Sequence, residues 1–169
     1  MKEHIKANRL SFKVGTFEWL NFFGLPVGLI VFSLIMLFFF IKDRFSMDSI
    51  NNLIAFAVLA SFGVITYYIQ LRKLKLKTFQ LKRNIEEFKK EVRKILNTNK
   101  WEIEYDNKSF LLATQRGSVF NLDMIILKFD KSLIKWNVIH HPRSNNSIAA
   151  LFSLNIYGKK IIKLIKASA

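Results

Sequence analysis

Residues 29–41 read LIVFSLIMLFFFI, a stretch that would be apolar on every face of a helix. It belongs to a longer run without any charged residue, residues 19–41, and a second uncharged run covers residues 49–71. Each run has 23 residues, and a helix needs about 20 apolar residues to cross a hydrocarbon core of about 30 Å. An amphipathic helix of a soluble domain would keep a polar stripe. The sequence therefore predicts two membrane-spanning helices.

Two other interpretations of the apolar runs are less favoured. Two core helices of a soluble protein would need more chain to bury them than 169 residues provide. A cleaved signal peptide would have an apolar region of about 7–15 residues and a small-residue cleavage site. The first run is longer and is followed by Lys42, Asp43 and Arg44. We therefore expect it to remain in the mature protein.

The connection between the runs, residues 42–48, is short enough to predict an antiparallel hairpin over residues 22–71. It has only two basic residues, Lys42 and Arg44, whereas the arm of residues 1–21 and the segment 72–77 each have four. Lys and Arg are enriched on the cytoplasmic side of membrane proteins. We expect both termini to lie in the cytoplasm. Gly24 and Gly28 form one GxxxG pattern, which is a weak signal for a helix contact.

The segment after the second run changes to heptad spacing. The seam residues, spaced alternately three and four apart, are Leu71, Leu74, Thr78, Leu81, Ile85, Phe88, Val92 and Ile95. This pattern predicts a continuous amphipathic helix or stalk over residues 72–98. The seam could pack on the chain's own sheet, on a second copy or on another protein. Lysines beside the seam, such as Lys77 and Lys82, oppose a parallel homodimer.

Basic charge is concentrated next to the membrane. Residues 70–100 contain 11 Lys or Arg and 3 Glu, within a chain of net charge +15. Such a segment is attracted to anionic lipid headgroups. The residues predicted to face lipid are Arg72, Lys73, Lys75 and Lys77. Because no nucleic-acid-binding motif accompanies the charge, we expect no nucleic-acid partner.

Beyond residue 98 the apolar period falls to two, which is typical of strands. The predicted strands are residues 101–105, 110–115, 119–129 and 133–140, and residues 148–156 fit either a fifth strand or a helical turn. Residues 158–166 predict a terminal helix with Ile161, Ile162 and Ile165 inward. The predicted fold is thus a membrane α-helical hairpin followed by a small cytosolic α+β domain, whose sheet and last helix occupy residues 99–169.

The motifs of this domain favour binding over catalysis. The chain has no cysteine, and His140 and His141 are adjacent in a strand, where they make a poor metal pair. No nucleotide-binding or hydrolase motif is present, so we expect neither an enzyme nor a cofactor. The residues predicted to bind an anionic ligand are Arg116, Lys128, Lys135, Trp136, His140, Arg143, Asn145, Lys159 and Lys160. Alternatively, these are solvated loop residues and core aromatics.

Two resemblances extend these expectations. Through Trp101, residues 145–147 and residues 155–158, the last 70 residues or so resemble a small domain of two-span proteins from Bacteroidota-type genomes, which implies no activity. The architecture is similar to that of bacterial antiphage effectors, whose β-barrel senses a cyclic nucleotide and whose assembly disrupts the inner membrane. That likeness implies a location in a bacterial inner membrane, a nucleotide messenger and a homo-oligomer. The alternative hypothesis is a structural or accessory subunit of a larger membrane complex.

Overall fold

The computed structural model describes residues 5–6, 9–42, 50–115, 123–142 and 147–169. Its helices are α1 (Phe17–Lys42), α2 (Ile50–Lys73), α3 (Ile85–Thr98), α4 (Ser147–Phe152) and α5 (Ile156–Ala167). Its strands are β1 (Ile5–Lys6), β2 (Arg9–Leu10), β3 (Lys77–Gln80), β4 (Trp101–Asp106), β5 (Phe110–Gln115), β6 (Asp123–Asp130) and β7 (Leu133–His140). Most of the connection predicted at residues 42–48 lies outside the described residues.

The two long helices α1 and α2 pack along each other as a hairpin, and both are long and apolar enough to cross a membrane. Only 11% of the most apolar window of α1 and 6% of that of α2 is buried. A core helix of a soluble protein would be mostly buried, so this exposure disfavours that interpretation. The helices come close at Gly63, where an added Cβ would lie 2.7 Å from Ile30 Cγ1.

The remaining chain forms a five-stranded antiparallel sheet in the order β3-β7-β6-β5-β4. The predicted pairing of β4 with β5 is confirmed, and β7 is confirmed with the predicted bounds. The strand predicted at residues 119–129 is described from Asp123 onward. At the turn between β6 and β7, Lys131 takes a left-handed conformation (φ 52°), which closes a two-residue connection.

The predicted continuous helix over residues 72–98 is wrong. α2 ends at Lys73, and residues 77–80 form the fifth strand, β3, which pairs with β7. Leu74 and Leu76 are both buried, so the chain already alternates with the period of a strand there. A separate helix starts at Asn84, whose side chain accepts a hydrogen bond from the backbone N–H of Glu86 (2.8 Å). The segment predicted as a fifth strand or helical turn is helical, in α4.

One face of the sheet is covered by α3 and α5. Both helices contribute to one apolar core with the strands, and their fully buried apolar residues are Phe88, Val92, Leu96, Ile162 and Ile165. The predicted inward positions Ile161, Ile162 and Ile165 are confirmed. Packing of the amphipathic helix on the chain's own sheet is likewise confirmed for α3. The seam therefore offers little apolar surface to a second protein.

Candidate functional site at the base of the hairpin

The opposite face of the sheet packs on the hairpin. Its buried apolar cluster, called here the joint core, combines residues from the N-terminal segment, from α1 and from the sheet. Its members are Leu10, Phe22, Phe23, Leu74, Leu76, Leu112, Met124, Ile126 and Ile139. Tyr67 and Leu71 of α2 pack against the same cluster. The sheet domain is thus joined to the hairpin by a continuous core rather than by a flexible linker.

Aromatic and polar contacts complete this junction. The Phe23 and Tyr67 rings lie 5.1 Å apart and connect the two helices. The side-chain amide of Asn21 donates to Pro142 O (3.0 Å), and that of Asn137 donates to Lys73 O (2.8 Å). The first hydrogen bond joins the base of α1 to the segment after β7, and the second joins the end of α2 to β7 itself. Because each occupies backbone groups that would otherwise be unpaired at a helix or strand end, they fix the direction of the hairpin relative to the sheet.

A cavity of about 110 Å³ lies within the junction. It is lined by Leu10, Phe12, Glu18, Glu104, Phe110, Leu112, Met124, Ile126, Ile139, His141 and Pro142. A bulge between Ile103 and Tyr105 adds Glu104 to β4. Glu104 Oε1 accepts a hydrogen bond from Thr114 Oγ1 (3.0 Å) and lies 3.2 Å from His141 Nε2. The hydroxyl and the imidazole contact one shared carboxylate oxygen, which is not the hydroxyl–imidazole–carboxylate order of a catalytic triad.

Two of the predicted anion-binding residues stand side by side on the hairpin face of the sheet. Lys128 and Lys135 are directly opposite each other on β6 and β7. Thr78 and Phe110 extend the same row across the sheet, and the four residues are called here the lysine row. Like charges at facing positions are unfavourable, and Asp130 Oδ2, at 4.0 Å from Lys135 Nζ, offsets part of this repulsion. A bound anion would relieve this repulsion.

The remaining predicted ligand residues do not join that row. Trp136 and His140 are buried, 7% and 3% exposed, so neither ring faces outward as stacking on a ligand would require. The Trp136 ring belongs to the core under α3 and α5. Lys159 and Lys160 are exposed in the first turns of α5. The others, Arg116, Arg143 and Asn145, lie outside the described residues.

The four residues predicted to face lipid are also divided. Arg72 and Lys75 are exposed, and the Arg72 guanidinium lies 5.4 Å from the Tyr68 ring centre. Lys73 instead turns inward, and its ammonium donates to Leu151 O and to Ser153 O (3.1 Å). Lys77 lies over the Trp136 ring at 5.2 Å, on the face away from the hairpin. Lys73 and Lys77 therefore contact other parts of the chain, and lipid contact of the four residues stays a prediction.

A second polar group lies where β6 and β7 meet α5. Asp123 Oδ2 accepts a hydrogen bond from the backbone N–H of Gly158 (2.9 Å), and Asn155 donates to Val138 O (2.9 Å). Burial raises the pKa of Asp123, although the Gly158 N–H and Lys159 oppose this. Burial, with His141 and Lys73 nearby, lowers the pKa of His140. Both shifts favour the uncharged form of a buried group.

Two important contacts were missed by the sequence-based reasoning. The Lys89 side chain is 2% exposed, and its ammonium donates to Asn107 O (3.3 Å) and Lys108 O (2.6 Å). Its place beside Phe88 on the buried face of α3 is the one signal that the sequence offered. The pair Glu104 and His141 is 37 positions apart in the chain, and only the strand register brings it together.

Among the described residues, no group of three or more His, Asp or Glu is placed to hold a metal ion. No family model, curated protein or solved structure matches the chain. The two resemblances drawn from the sequence therefore stay predictions.

Proposed function

We propose that the chain is a non-enzymatic two-pass sensor or effector of a bacterial inner membrane, with both termini in the cytoplasm. An anionic ligand of the sheet domain would change how the spans assemble. The observation that carries this proposal is the joint core, in which Phe22 and Phe23 of α1 are buried together with Ile126 of the sheet. Because packed cores transmit displacements rather than absorb them, a shift of the sheet alters the base of the hairpin directly.

The exposed surface of the hairpin supports both the membrane and the assembly part of the proposal. Phe32 of α1 and Phe62 of α2 are 57% and 60% exposed, and they are two of many large apolar side chains exposed along these helices. Soluble monomers rarely expose contiguous apolar patches beyond a few hundred Å². Lipid can cover this apolar surface, and so can a second copy of the hairpin. The surface is therefore suitable for reversible assembly of the spans.

The lysine row supports an anion as the ligand. Lys128 lies two residues from Ile126 on β6, so its side chain points to the same face of the sheet as the joint core. An anion between Lys128 and Lys135 would therefore act on the face that holds the hairpin. The phosphates of a nucleotide messenger have the required chemistry, and so does an anionic lipid headgroup.

Two alternatives have less support. The contact of Thr114 and His141 with one oxygen of Glu104 lacks the order of a hydrolytic site, which favours a non-enzymatic role. An accessory-subunit role was suggested by the apolar seam of the predicted stalk. Phe88 and Val92 of that seam are buried in the chain's own core, so the observation that motivated this role is gone.

The proposal can be tested by crosslinking in membrane vesicles, because the chain has no cysteine of its own. A Phe62→Cys variant reports the contact of spans from two copies through oxidative disulfide formation. We expect one member of a cyclic nucleotide panel, or a change to phosphatidylglycerol vesicles, to change the disulfide yield. The two arms distinguish a soluble messenger from a lipid headgroup.

Matched lysine substitutions locate the effect. Adding Lys128→Gln and Lys135→Gln to the reporter should abolish the response, whereas Lys131→Gln, an exposed lysine in the neighbouring turn, should preserve it. A disulfide yield that no nucleotide and no anionic lipid changes would count against the proposal. A response that survives in the double lysine variant would overturn the assigned site.

A further inference from the structure

A group of exposed apolar side chains surrounds α4 and the start of α5. The segment 147–157 is called here the hook. Its exposed members are Ile148, Phe152, Leu154, Ile156 and Tyr157, which are 56–70% exposed. Five large apolar residues within ten positions, all turned away from the protein's own cores, are unusual on a surface that faces water.

The hook lies beside the membrane hairpin. α4 packs against both α1 and α2. Ile148 lines a groove together with Gly28 and Phe32 of α1 and Leu59 of α2. Leu59 lies nine residues before Tyr68, which corresponds to roughly 13 Å along the helix axis. If Tyr68 marks the inner boundary of the span, Ile148 reaches well below the headgroups.

Hydrogen bonds hold the backbone of the hook in place. The Lys73 ammonium donates to the carbonyls of Leu151 and Ser153 at the end of α4. Asn155 takes a left-handed conformation (φ 49°) and donates to Val138 O (2.9 Å). Backbone that leaves a helix near lipid must have its polar groups paired within the protein, and these contacts meet that need at the points where α4 ends. The apolar side chains are thereby presented on a fixed support.

Basic residues follow immediately. Lys159, Lys160 and Lys163 are exposed on α5, directly after the last apolar residue of the hook. An apolar surface bordered by lysines is the pattern of a segment that lies in a membrane interface, with its apolar side chains among the acyl chains and its cations at the headgroups. The apolar surface is also continuous with that of the spans, through the groove at Ile148.

We propose that the hook is a third membrane contact, an interfacial segment whose apolar side chains insert into the cytoplasmic leaflet while the lysines of α5 bind anionic headgroups. This inference rests on the proposed membrane location of the hairpin. It adds a fixed point that holds the sheet domain against the bilayer, so that the domain is supported by the hairpin and by the hook.

The test uses single cysteines carrying a nitroxide label, in vesicles of phosphatidylethanolamine and phosphatidylglycerol. Collisions with oxygen report a lipid environment, and collisions with a water-soluble nickel chelate report an aqueous one. Phe152→Cys and Leu154→Cys probe the hook, Phe38→Cys probes the span, and Leu133→Cys is an exposed apolar control at the first residue of β7. We expect the ratio of oxygen to nickel collisions to be several-fold higher at both hook positions than at Leu133→Cys.

The outcomes separate this inference from the proposed function. A lipid signal at Phe38→Cys with an aqueous signal at both hook positions would overturn the hook and leave the membrane hairpin standing. An aqueous signal at Phe38→Cys would overturn both. Hook labels shielded from both reagents and broadened by a neighbouring label would show that a second copy, not lipid, covers the hook. If Phe152→Cys fails to fold, Leu154→Cys still decides the question.

Discussion

The tight contact between the two candidate spans at Gly63 can be tested with a pair of glycine substitutions. An added Cβ at Gly63 would lie 2.7 Å from Ile30 Cγ1 and 3.3 Å from the backbone atoms Ile30 N and Pro26 O. At Gly28, on the other helix, an added Cβ would meet no described heavy atom within 4 Å. Gly63→Ala should therefore push the helices apart, and Gly28→Ala should not.

The magnitude follows from two opposing effects. Replacing Gly by Ala inside a helix stabilises it by about 1 kcal/mol, and both variants gain this. Overpacking a tight contact costs about 1–3 kcal/mol, and only Gly63→Ala is destabilised in this way. The β-branched Ile30 side chain has few other rotamers, and the neighbouring backbone atoms cannot move aside. The difference between the variants should thus be about 1–3 kcal/mol in favour of Gly28→Ala.

Unfolding by SDS in mixed micelles, followed by tryptophan fluorescence, measures this difference. A distance between nitroxides on the two helices would provide a second readout, with the spacing increased in Gly63→Ala alone. Equal SDS midpoints for the two variants, or a more stable Gly63→Ala, would refute the packing described at this crossing.

Three further predictions concern the sheet domain, and each is measured by the free energy of unfolding of the purified protein. Lys89→Met should lower it by about 1–3 kcal/mol because the Asn107 and Lys108 carbonyls lose their charged donor, while the exposed neighbour variant Lys90→Met should change it by less than about 0.5 kcal/mol; similar effects for both would argue against the buried role of Lys89. Because the pKa of His140 is lowered in the folded protein, the unfolded chain binds a proton below the ordinary pKa of 6.5 that the folded protein does not bind. The free energy of unfolding should therefore fall as the pH decreases from about 6.5 towards the folded pKa, and His140→Gln should flatten this slope. An unchanged slope would contradict this assignment. Asn155→Ala should lower the free energy of unfolding by about 1–3 kcal/mol, because the hydrogen bond to Val138 O is lost and alanine disfavours the left-handed backbone conformation. Asn155→Gly should lower it less, because glycine tolerates that conformation. The reverse order would exclude backbone strain as a cause.

Much of the architecture could be predicted from periodicity. Long uncharged runs indicated α1 and α2, and alternation with turn residues indicated β4, β5 and β7, because these patterns depend on neighbours in sequence. The break after Lys73 could not be predicted in the same way. Leu71, Leu74, Thr78 and Leu81 fit a heptad seam, yet residues 77–80 gain more by pairing with β7, which lies more than 50 positions later in the chain. Long-range strand pairing overrode the local helical pattern.

The candidate site was less predictable than the fold. A basic residue type indicates an affinity for anions, but only strand register shows that Lys128 and Lys135 are neighbours, whereas Trp136, the residue after Lys135 on β7, faces the opposite core. The joint core was also not foreseen. Phe22 and Phe23 fall within the first uncharged run, and their burial depends on a sheet face formed some 100 residues further along.

One hydrogen-exchange experiment tests whether the stability of the sheet domain depends on its contact with the hairpin in the joint core. Phe22→Ala removes a fully buried ring at the base of α1, while Phe38→Ala removes a 63% exposed ring on the same helix, far from the sheet. With the protein in lipid nanodiscs, amide exchange of β5, β6 and β7 should accelerate in Phe22→Ala and stay at the wild-type rate in Phe38→Ala. Equal protection of those strands in both variants would contradict the account, since it would mean that the sheet domain is stable without its contact to the hairpin.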